Sequence, residues 1–218
     1  MDDLIKQYDI IGENYIQGQQ KYFSEKGDMP LEYIKNNIGD LNGKKILDLG
    51  CGDGHDIAYF ESYLNGDFFG IDSSEFMINQ AKNNIKNPLN LHLGNFENMP
   101  FENDSFDVVY AKFAFNYLSD FELLYKEVVR VLKKGGLFLF IHHHPLNDFM
   151  KKEQKLYFQK QKLTVGLFSG VNITYFTHIF SEIISPAFLK NFNLLDFHED
   201  SRGENVNPRY IAIKSVKS

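Results

Sequence analysis

The chain has 218 residues, a length that favours one domain with a single sizeable core. Its hydrophobic fraction of 43% and charged fraction of 24% are typical of a globular protein in water. The formal net charge is −6 at neutral pH. Because binding to a phosphate backbone depends on clustered lysine and arginine, this acidic balance argues against a nucleic acid partner.

The N-terminal residues and the single cysteine indicate in which cellular compartment the protein is expected. Residues 1–6 begin acidic and contain no long apolar run, so we predict neither a secretory signal nor a transmembrane helix. Cys51 is the only cysteine, and an unpaired thiol is ordinary in a reducing compartment. These features predict a cytoplasmic protein that has no membrane partner. We expect it to act as a monomer or a homodimer.

Apolar runs alternate with segments of helical period from about residue 30 onward, which predicts an α/β fold with a mainly parallel sheet. Helices are predicted at 55–64, after a cap at Ser73 or Ser74, and after the capping-box pattern of residues 119–122. Residues 133–135 are predicted to end the last of these helices. The predicted strands lie at 45–49, 67–71, 89–93, 106–111 and 137–141.

The pattern changes after the fifth strand. Residues 145–180 mix polar and aromatic side chains without a simple strand–helix repeat, and we interpret them as an insertion that covers the active site. A helix near 181–192, interrupted by Pro186, precedes strands at 194–198 and 210–216. These two strands are predicted to pair as an antiparallel edge of the sheet.

Three glycines, Gly50, Gly52 and Gly54, follow the first predicted strand. Ligands of open parallel sheets bind at the carboxyl ends of the strands, and glycines let the backbone approach a ligand closely. Asp48 ends the strand and adds an acceptor at the same edge. Asp72 ends the second strand at a spacing of about 20 residues, which suits hydrogen bonds to both hydroxyls of a ribose. The alternative is a tight turn whose two aspartates are only caps.

A dinucleotide site is a further alternative for this turn. Its G-x-G-x-x-G fingerprint needs a third glycine at the position where this chain has His55. Asp53 and Asp56 would also repel a pyrophosphate that lay on the turn. The pattern therefore favours a ribose-bearing ligand with a cationic centre over a nicotinamide dinucleotide.

The stretch ILDLGCGDG at residues 46–54 closely resembles motif I of the class I S-adenosylmethionine-dependent methyltransferases. Segments 69–78, 94–101, 104–110 and 132–136 resemble the later motifs in the expected order. The resemblance implies S-adenosyl-L-methionine as the cofactor. It also implies a Rossmann-like, doubly wound, seven-stranded sheet that is mainly parallel with an antiparallel C-terminal strand.

We divide one methyltransferase domain, residues 1–218, into an N-terminal helical lid (1–30), the cofactor-binding core (40–142) and the substrate-covering insertion (145–180). The lid rests on residues 8–15, which resemble the N-terminal aromatic lid of small-molecule members of the family. The alternative is an ordinary amphipathic helix that packs Tyr8, Ile11 and Tyr15. Asn95 stands where many relatives carry aspartate as the acceptor for the adenine amino group, and its side-chain oxygen can still accept one bond. The implied cofactor contacts are Tyr15, Asp48, Gly50, Cys51, Gly52, Asp72, Ser73, Met77, Asn95, Phe96 and Lys112.

Methyl transfer depends mainly on positioning, and a general base helps only where the acceptor begins protonated. Alternation along an extended chain places His142 and His144 on one side, so both are candidate catalytic bases near neutral pH. No metal is predicted, because three consecutive histidines cannot all face one ion. Lys112 is also a candidate for orienting an anionic substrate. The candidate substrate contacts are Phe113, Asn116, Tyr117, His143 and His178. The alternative is packing in the core for Phe113 and Tyr117, a solvated side chain for Lys112, and a structural role for the three consecutive histidines.

The leading hypothesis is methyl transfer to an oxygen or nitrogen of a small molecule, because the chain is acidic and its insertion is compact. A protein or RNA methyltransferase remains an alternative, although a basic recognition face is not evident. A cofactor-binding module without turnover is another alternative. The basic stretch at 151–162 is interpreted as a solvated helix face, with an acidic partner or a membrane surface as the less favoured reading.

Overall fold

The computed structural model describes residue 4 and residues 6–153, 156–168, 170–200 and 207–218. Residues 1–3 and 5 of the predicted lid, and residues 154–155 of the basic stretch, lie outside this part of the chain. The strands are β1 (Lys45–Leu49), β2 (Asp67–Asp72), β3 (Leu91–Leu93), β4 (Phe106–Lys112), β5 (Leu132–His143), β6 (Lys162–Phe168), β7 (Val171–Phe176), β8 (Phe192–Glu199) and β9 (Tyr210–Lys217).

Helices connect these strands in the alternating pattern that the sequence predicts. They are α1 (Gln7–Lys26), α2 (Met29–Asn37), α3 (His55–Glu61), α4 (Glu75–Asn84), α5 (Glu122–Val131), α6 (Pro145–Lys151), α7 (Phe180–Ile183) and α8 (Pro186–Asn191). None of the described helices is long and apolar enough to span a bilayer.

Seven strands form one sheet in the order β3-β2-β1-β4-β5-β9-β8. All pairs from β3 to β5 are parallel, whereas β9 runs antiparallel to both β5 and β8. This arrangement confirms the predicted fold class, including the antiparallel C-terminal strand. Strands β6 and β7 form a separate antiparallel hairpin within the predicted insertion.

The central strands are buried on both faces, as expected for a parallel sheet between two helix layers. In β1, Ile46 packs into a core with residues of α2, α3 and α4. Its neighbour Leu47 points to the opposite core, which contains residues of α5, α7 and α8. Both side chains are fully buried. The alternation fixes the strand register, so the carboxyl ends of β1, β2, β4 and β5 meet at one edge.

Helix starts agree with the sequence prediction in one case and differ in another. The Ser74 hydroxyl caps α4 by accepting a hydrogen bond from the Met77 N–H at 3.2 Å. The capping box predicted for residues 119–122 is wrong, because Phe121 takes the N-cap position and its side chain makes no capping bond. The Asp120 carboxylate instead accepts the N–H of Glu122 at 3.1 Å, which satisfies one free donor of the first turn.

Several strand and helix limits also differ from the predicted ones. A 3₁₀ turn at Pro88–Asn90 delays β3 until Leu91. Residues 133–135, predicted to end a helix, lie within β5, because its first residue, Leu132, already pairs with Phe106 across a bulge. Pro186 begins α8 after a cap by Ser185, so the helix predicted at 181–192 is two short helices.

Helix α1 crosses the carboxyl edge of the sheet and is held at two places. The Asp9 carboxylate accepts hydrogen bonds from the Ser74 hydroxyl at 2.5 Å and the Phe76 N–H at 3.1 Å. This negative charge lies at the N-terminus of α4, where the helix dipole stabilises it. The Gln7 amide pairs with both backbone groups of Thr174 in β7, at 3.0 and 2.8 Å. Helix α1 therefore joins α4 to the hairpin.

Gly12 permits the close approach of α1 to α4, because a β-carbon there would lie 2.3 Å from the Phe76 ring. Alanine exceeds glycine in helix propensity by about 1 kcal/mol. We nevertheless expect Gly12→Ala to lower the thermal unfolding temperature, since the methyl group must displace Phe76 or α1. In a Phe76→Ala background the same change should be neutral or stabilising. Equal effects of Gly12→Ala in both backgrounds would contradict this contact.

Candidate functional site

A cavity of about 540 Å³ opens at the carboxyl edge of the sheet, within the size range of small-molecule sites. Its walls come from the ends of β1, β2, β4 and β5, from α1, and from the β6–β7 hairpin. All eleven candidate cofactor contacts from the sequence lie in these walls. The structure thus brings together residues that are as much as 97 positions apart, from Tyr15 to Lys112.

The turn after β1 has the backbone that its glycines predict. Gly50 and Gly52 have φ values of 77° and 53°, a region that residues with a β-carbon rarely adopt. A β-carbon at Gly50 would also lie 2.4 Å from that of Ala114, whereas Gly52 has open space on that side. The turn therefore leaves room for a ligand against its backbone.

Asp72 holds this turn against the start of α4. Its carboxylate accepts the Gly52 N–H and the Ser74 N–H, each at 2.9 Å. Burial raises the pKa of Asp72, and the backbone donors, including that of Ser73, oppose the rise by stabilising the charged form. The carboxylate lies in the cavity wall, at the position where the sequence predicts ribose binding.

Asp48 lies deeper in the same wall and accepts a hydrogen bond from the Tyr110 hydroxyl at 2.9 Å. Burial raises the pKa of Asp48, and the nearby charge of Asp56 raises it further. Burial also raises the pKa of Asp53. Carboxylates whose charge is penalised in this way are stabilised by a cationic ligand. The site therefore fits the sulfonium and ammonium groups of S-adenosyl-L-methionine.

Lys112, predicted to contact the cofactor or an anionic substrate, is already paired. Its ammonium lies 2.7 Å from an Asp28 oxygen and 2.6 Å from an Asp56 oxygen. Burial lowers the pKa of Lys112, but the two carboxylates outweigh burial and hold that pKa above its ordinary value. Because two carboxylates already pair with this ammonium, it is not free to bind an anion. Sequence reasoning missed Asp28, the N-cap of α2, because nothing local marks its long-range partner.

The same carboxylates bear on the prediction that no metal is bound. Potential ligand atoms of Asp28, His55 and Asp56 lie within 4.8 Å of one another, which is the spacing that a metal ion would need. The Lys112 ammonium, however, is in contact with both carboxylates. The Lys112 ammonium therefore already supplies the positive charge that these two carboxylates need.

The loop after β3 differs from its predicted role in one respect. The side-chain oxygen of Asn95 accepts the backbone N–H groups of Glu97 at 3.1 Å and Asn98 at 3.0 Å. A carbonyl oxygen has two lone pairs, so these bonds use its capacity and leave none for an adenine amino group. Asn95 therefore shapes the loop, while the neighbouring Phe96 ring presents an apolar face to the cavity.

Aromatic side chains form the other end of the cavity. The Tyr8 and Tyr117 hydroxyls are 2.5 Å apart, and the Tyr8 and Tyr15 rings pack edge to face at 5.0 Å. Phe113 has a φ of 58°, which is strained for a residue with a side chain, and its ring packs 5.2 Å from the His143 ring. Three predicted substrate contacts, Phe113, Tyr117 and His143, thus lie together in the wall.

The two predicted catalytic histidines lie away from the cavity wall. His142 is buried against Phe121, and its Nδ1 lies 2.8 Å from the His143 carbonyl oxygen. His144 caps α6 and places its Nε2 2.7 Å from a Glu199 oxygen. The alternation argument did put both on one face, but the cavity lies on the opposite face, toward His143. The prediction that His142 and His144 are catalytic bases is therefore withdrawn, because neither side chain can reach a molecule in the cavity.

Asn116 and His178 also lie outside the cavity wall. Both are buried, Asn116 in the 3₁₀ turn after β4 and His178 against the Phe121 ring at 4.7 Å. The His178 Nδ1 lies 3.3 Å from a Glu182 oxygen. Both side chains are packed among core residues and do not line the cavity, so they are not substrate contacts in this geometry.

The doubly wound sheet, its glycine turn and the aspartate at the end of β2 define a class I S-adenosylmethionine-dependent methyltransferase. Residues 40–182 match the family model described as a methyltransferase domain, and the chain belongs to that family. S-adenosyl-L-methionine is therefore its cofactor.

Two curated relatives and one solved structure illustrate the likeness. Sterol 24-C-methyltransferase of Aspergillus fumigatus is 33% identical over 49% of this chain and 29% of its own length. Demethylmenaquinone methyltransferase of Lactococcus lactis is 36% identical over 56% of this chain and 51% of its own length. The chain thus spans about half or less of these relatives. A protein of Listeria monocytogenes assigned to the S-adenosylmethionine-dependent methyltransferases superposes with a TM-score of 0.71, at 27% identity, over 86% of this chain and 97% of its own.

The position of Asp72 predicts how its removal affects the cofactor. We expect Asp72→Ala to weaken binding of S-adenosylhomocysteine by about 1–3 kcal/mol, which is about 5- to 150-fold in Kd, because charge-assisted hydrogen bonds are lost. Calorimetry measures this change. Asp67→Ala, at the exposed start of the same strand, is the matched control and should bind normally. An unchanged Kd in folded Asp72→Ala protein would contradict the ribose assignment.

The ion cluster predicts a large stability effect. Lys112→Met leaves two buried carboxylates without their cation, and breaking such a pair costs about 3–5 kcal/mol of unfolding free energy. Lys133→Met removes the partly exposed pair of Lys133 with Asp107 and should cost about 1 kcal/mol or less. Urea unfolding of both variants compares them directly. Equal losses would show that the cluster at Lys112 behaves as a surface pair.

Proposed function

We propose that the protein transfers a methyl group from S-adenosyl-L-methionine to an oxygen or nitrogen of a small, largely apolar molecule. The observation that carries this proposal is one cavity whose wall combines two kinds of surface. Buried aspartates and the glycine turn form one part of the wall, and aromatic side chains from three separate elements form the part that we call the aromatic end. A donor and an acceptor held in one such cavity meet the main requirement of this chemistry, which is positioning.

The cofactor supplies a methyl group that its sulfonium already activates. The chain's part at this end is to bind and orient. In the proposed arrangement Asp72 accepts the ribose hydroxyls, and Ser73 and Met77 lie along the same wall. The backbone from Gly50 to Gly52 packs against the methionyl part, and Asp48 offsets its positive charge. Phe96 covers the adenine.

The aromatic end would exclude water and hold the acceptor. Helix α1 contributes Tyr8 and Tyr15 to it, and the hairpin contributes Phe168 and Ile173. We propose that residues 1–30 and 145–180 together act as a cover over the core of residues 40–142. A cavity of about 540 Å³ that must also hold the cofactor leaves space for a small acceptor only.

Two relatives support an apolar acceptor. One is a sterol 24-C-methyltransferase and the other a demethylmenaquinone methyltransferase. The first name specifies a carbon acceptor, so it supports the apolar character of the acceptor and not the choice of acceptor atom. The cavity wall of this chain offers the corresponding surface, since Phe113, Leu118, Leu167, Phe168 and Ile173 all contribute to it. Apolar burial of this kind favours uptake of such a molecule from water.

Labelled methyl transfer tests the proposal. The protein is incubated with methyl-labelled S-adenosyl-L-methionine and a cell extract, and the label is followed into low-molecular-weight compounds and into protein and RNA. We expect label in an apolar, extractable small molecule, and little with Asp72→Ala protein. Label only in protein or RNA would contradict a small acceptor. Binding of the cofactor without any transfer would contradict the enzymatic function.

A further inference from the structure

A histidine and an aspartate that the cofactor site does not use lie side by side at the aromatic end of the cavity. His143 ends β5 and lines the cavity, and Asp148 lies in α6 just behind it. The His143 Nδ1 is 4.0 Å from Asp148 Oδ1, and the Lys151 ammonium lies at the same distance from that oxygen. Sequence reasoning missed Asp148, because a lone aspartate in a short helix carries no recognisable pattern.

The local chain geometry explains this pairing. His144 accepts the Leu146 N–H at 3.1 Å and so starts α6 directly after β5. The helix then folds back, and its first turn carries Asp148 behind the His143 ring. Tyr175 of β7 completes the arrangement, since its hydroxyl donates to an Asp148 oxygen at 2.9 Å and its ring packs 4.6 Å from that of His143.

Both groups contain a buried polar atom that lacks a partner. Among the described residues, neither Nδ1 of His143 nor Oδ2 of Asp148 has a hydrogen-bond partner, and Asp148 is only 1% exposed. Native structures satisfy most buried polar atoms, so such a pair needs an explanation. The oxygen nearest the ring, Oδ1, already accepts the Tyr175 hydroxyl, and a contraction of about 1 Å would add the imidazole N–H as a second donor to it. Catalytic hydrogen bonds are often this long before a substrate binds.

The charge states leave His143 able to accept a proton only with help from Asp148. Burial, the nearby charge of Lys151 and that of His178 together lower the pKa of His143 to about 3, so the imidazole is neutral at neutral pH but is a weak base until a carboxylate stabilises its charged form. Burial raises the pKa of Asp148 to about 6, and Tyr175 and Lys151 oppose the rise. At pH 7 the carboxylate is therefore mostly ionised, which allows it to stabilise a positive charge on the ring.

We propose that His143 is the general base of the methyl transfer, that Asp148 positions it, and that the acceptor is a phenolic hydroxyl. The inference rests on the proposed function. With its Nδ1–H directed at Asp148, the ring presents the lone pair of Nε2 to a molecule in the cavity. The carboxylate then stabilises the imidazolium that forms.

The acceptor class follows from which groups need a base. A carboxylic acid is already ionised at neutral pH, whereas a phenol, with a pKa of about 10, is neutral and still protonated. A flat phenol ring can pack against Phe113 and Tyr117 in the wall.

The step balances with these groups alone. The phenolic proton moves to Nε2 of His143, and the freed oxygen lone pair forms the new bond to the methyl carbon. The electron pair of the broken carbon–sulfur bond remains on sulfur, which gives an aryl methyl ether and S-adenosylhomocysteine. His143 then returns its proton to water.

Nitrogen-15 NMR of the histidine side chains tests the pair without turnover. At neutral pH we expect His143 to carry its proton on Nδ1, and Asp148→Asn to shift the ring nitrogen signals of His143. Glu199→Gln is the matched control, because its carboxylate faces His144 and should leave His143 unchanged. His143→Asn assigns the signal. A proton on Nε2, or no response to Asp148→Asn, would overturn the pairing.

Kinetics with catechol and 4-methylphenol as probe acceptors test the chemical role. We expect kcat to fall about 100- to 10,000-fold in His143→Asn, a typical loss for a general base, while the Kd for S-adenosylhomocysteine stays constant. Asp148→Asn should lower kcat with little change in KM. A kcat that His143→Asn leaves unchanged would refute the base.

The two proposals fail in different ways. Normal binding of S-adenosylhomocysteine with no transfer to either phenol, but with transfer to another small molecule, would overturn the acceptor class and leave the proposed function standing. No transfer to any molecule would overturn the proposed function, and the NMR result would still decide whether Asp148 sets the proton position on His143.

Discussion

The buried ammonium of Lys112 is the interaction on which the cavity depends. Removing a charge from water is expensive, and the cost is recovered only when partners surround the charge in good geometry. Here the partners come from different parts of the chain, Asp56 from the helix after the glycine turn and Asp28 from the N-terminal segment. The Phe23 ring adds a third contact at 5.2 Å. One side chain at the end of β4 thereby fixes both the floor of the cavity and part of its cover.

The cofactor end could be predicted from sequence because its geometry is local. Residues 45–54 form a strand and a turn whose conformation follows from their own composition, and the parallel pairing of β1 with β2 then brings Asp72 to the same edge. No distant contact is needed to place Gly50, Gly52 or Asp72. The pattern and the structure agree there for that reason.

The acceptor end could not be predicted in the same way. The choice between His142 and His143 depends on which face of β5 the later hairpin covers, and alternation alone does not contain that information. Asp148 and Asp28 acquire their positions through contacts with residues 27 and 84 positions away in the sequence, Tyr175 and Lys112. Lys112 differs from its prediction in another way. It lies in the cavity wall, but two carboxylates already pair with its ammonium, so it is not free to bind an anion.

Helix α1 links the two ends of the cavity through residues in its first turn. Gln7 completes the hydrogen bonding of the hairpin at Thr174, and Asp9, two residues later, binds the start of α4 beside Asp72. Any tilt of α1 away from the hairpin would also disturb its hydrogen bond to the start of α4. Because Tyr8 and Tyr15 extend from the same helix to the aromatic end, the walls that face the cofactor and the acceptor are parts of one packed unit. The polar and the aromatic parts of the wall are therefore held in place by the same contacts.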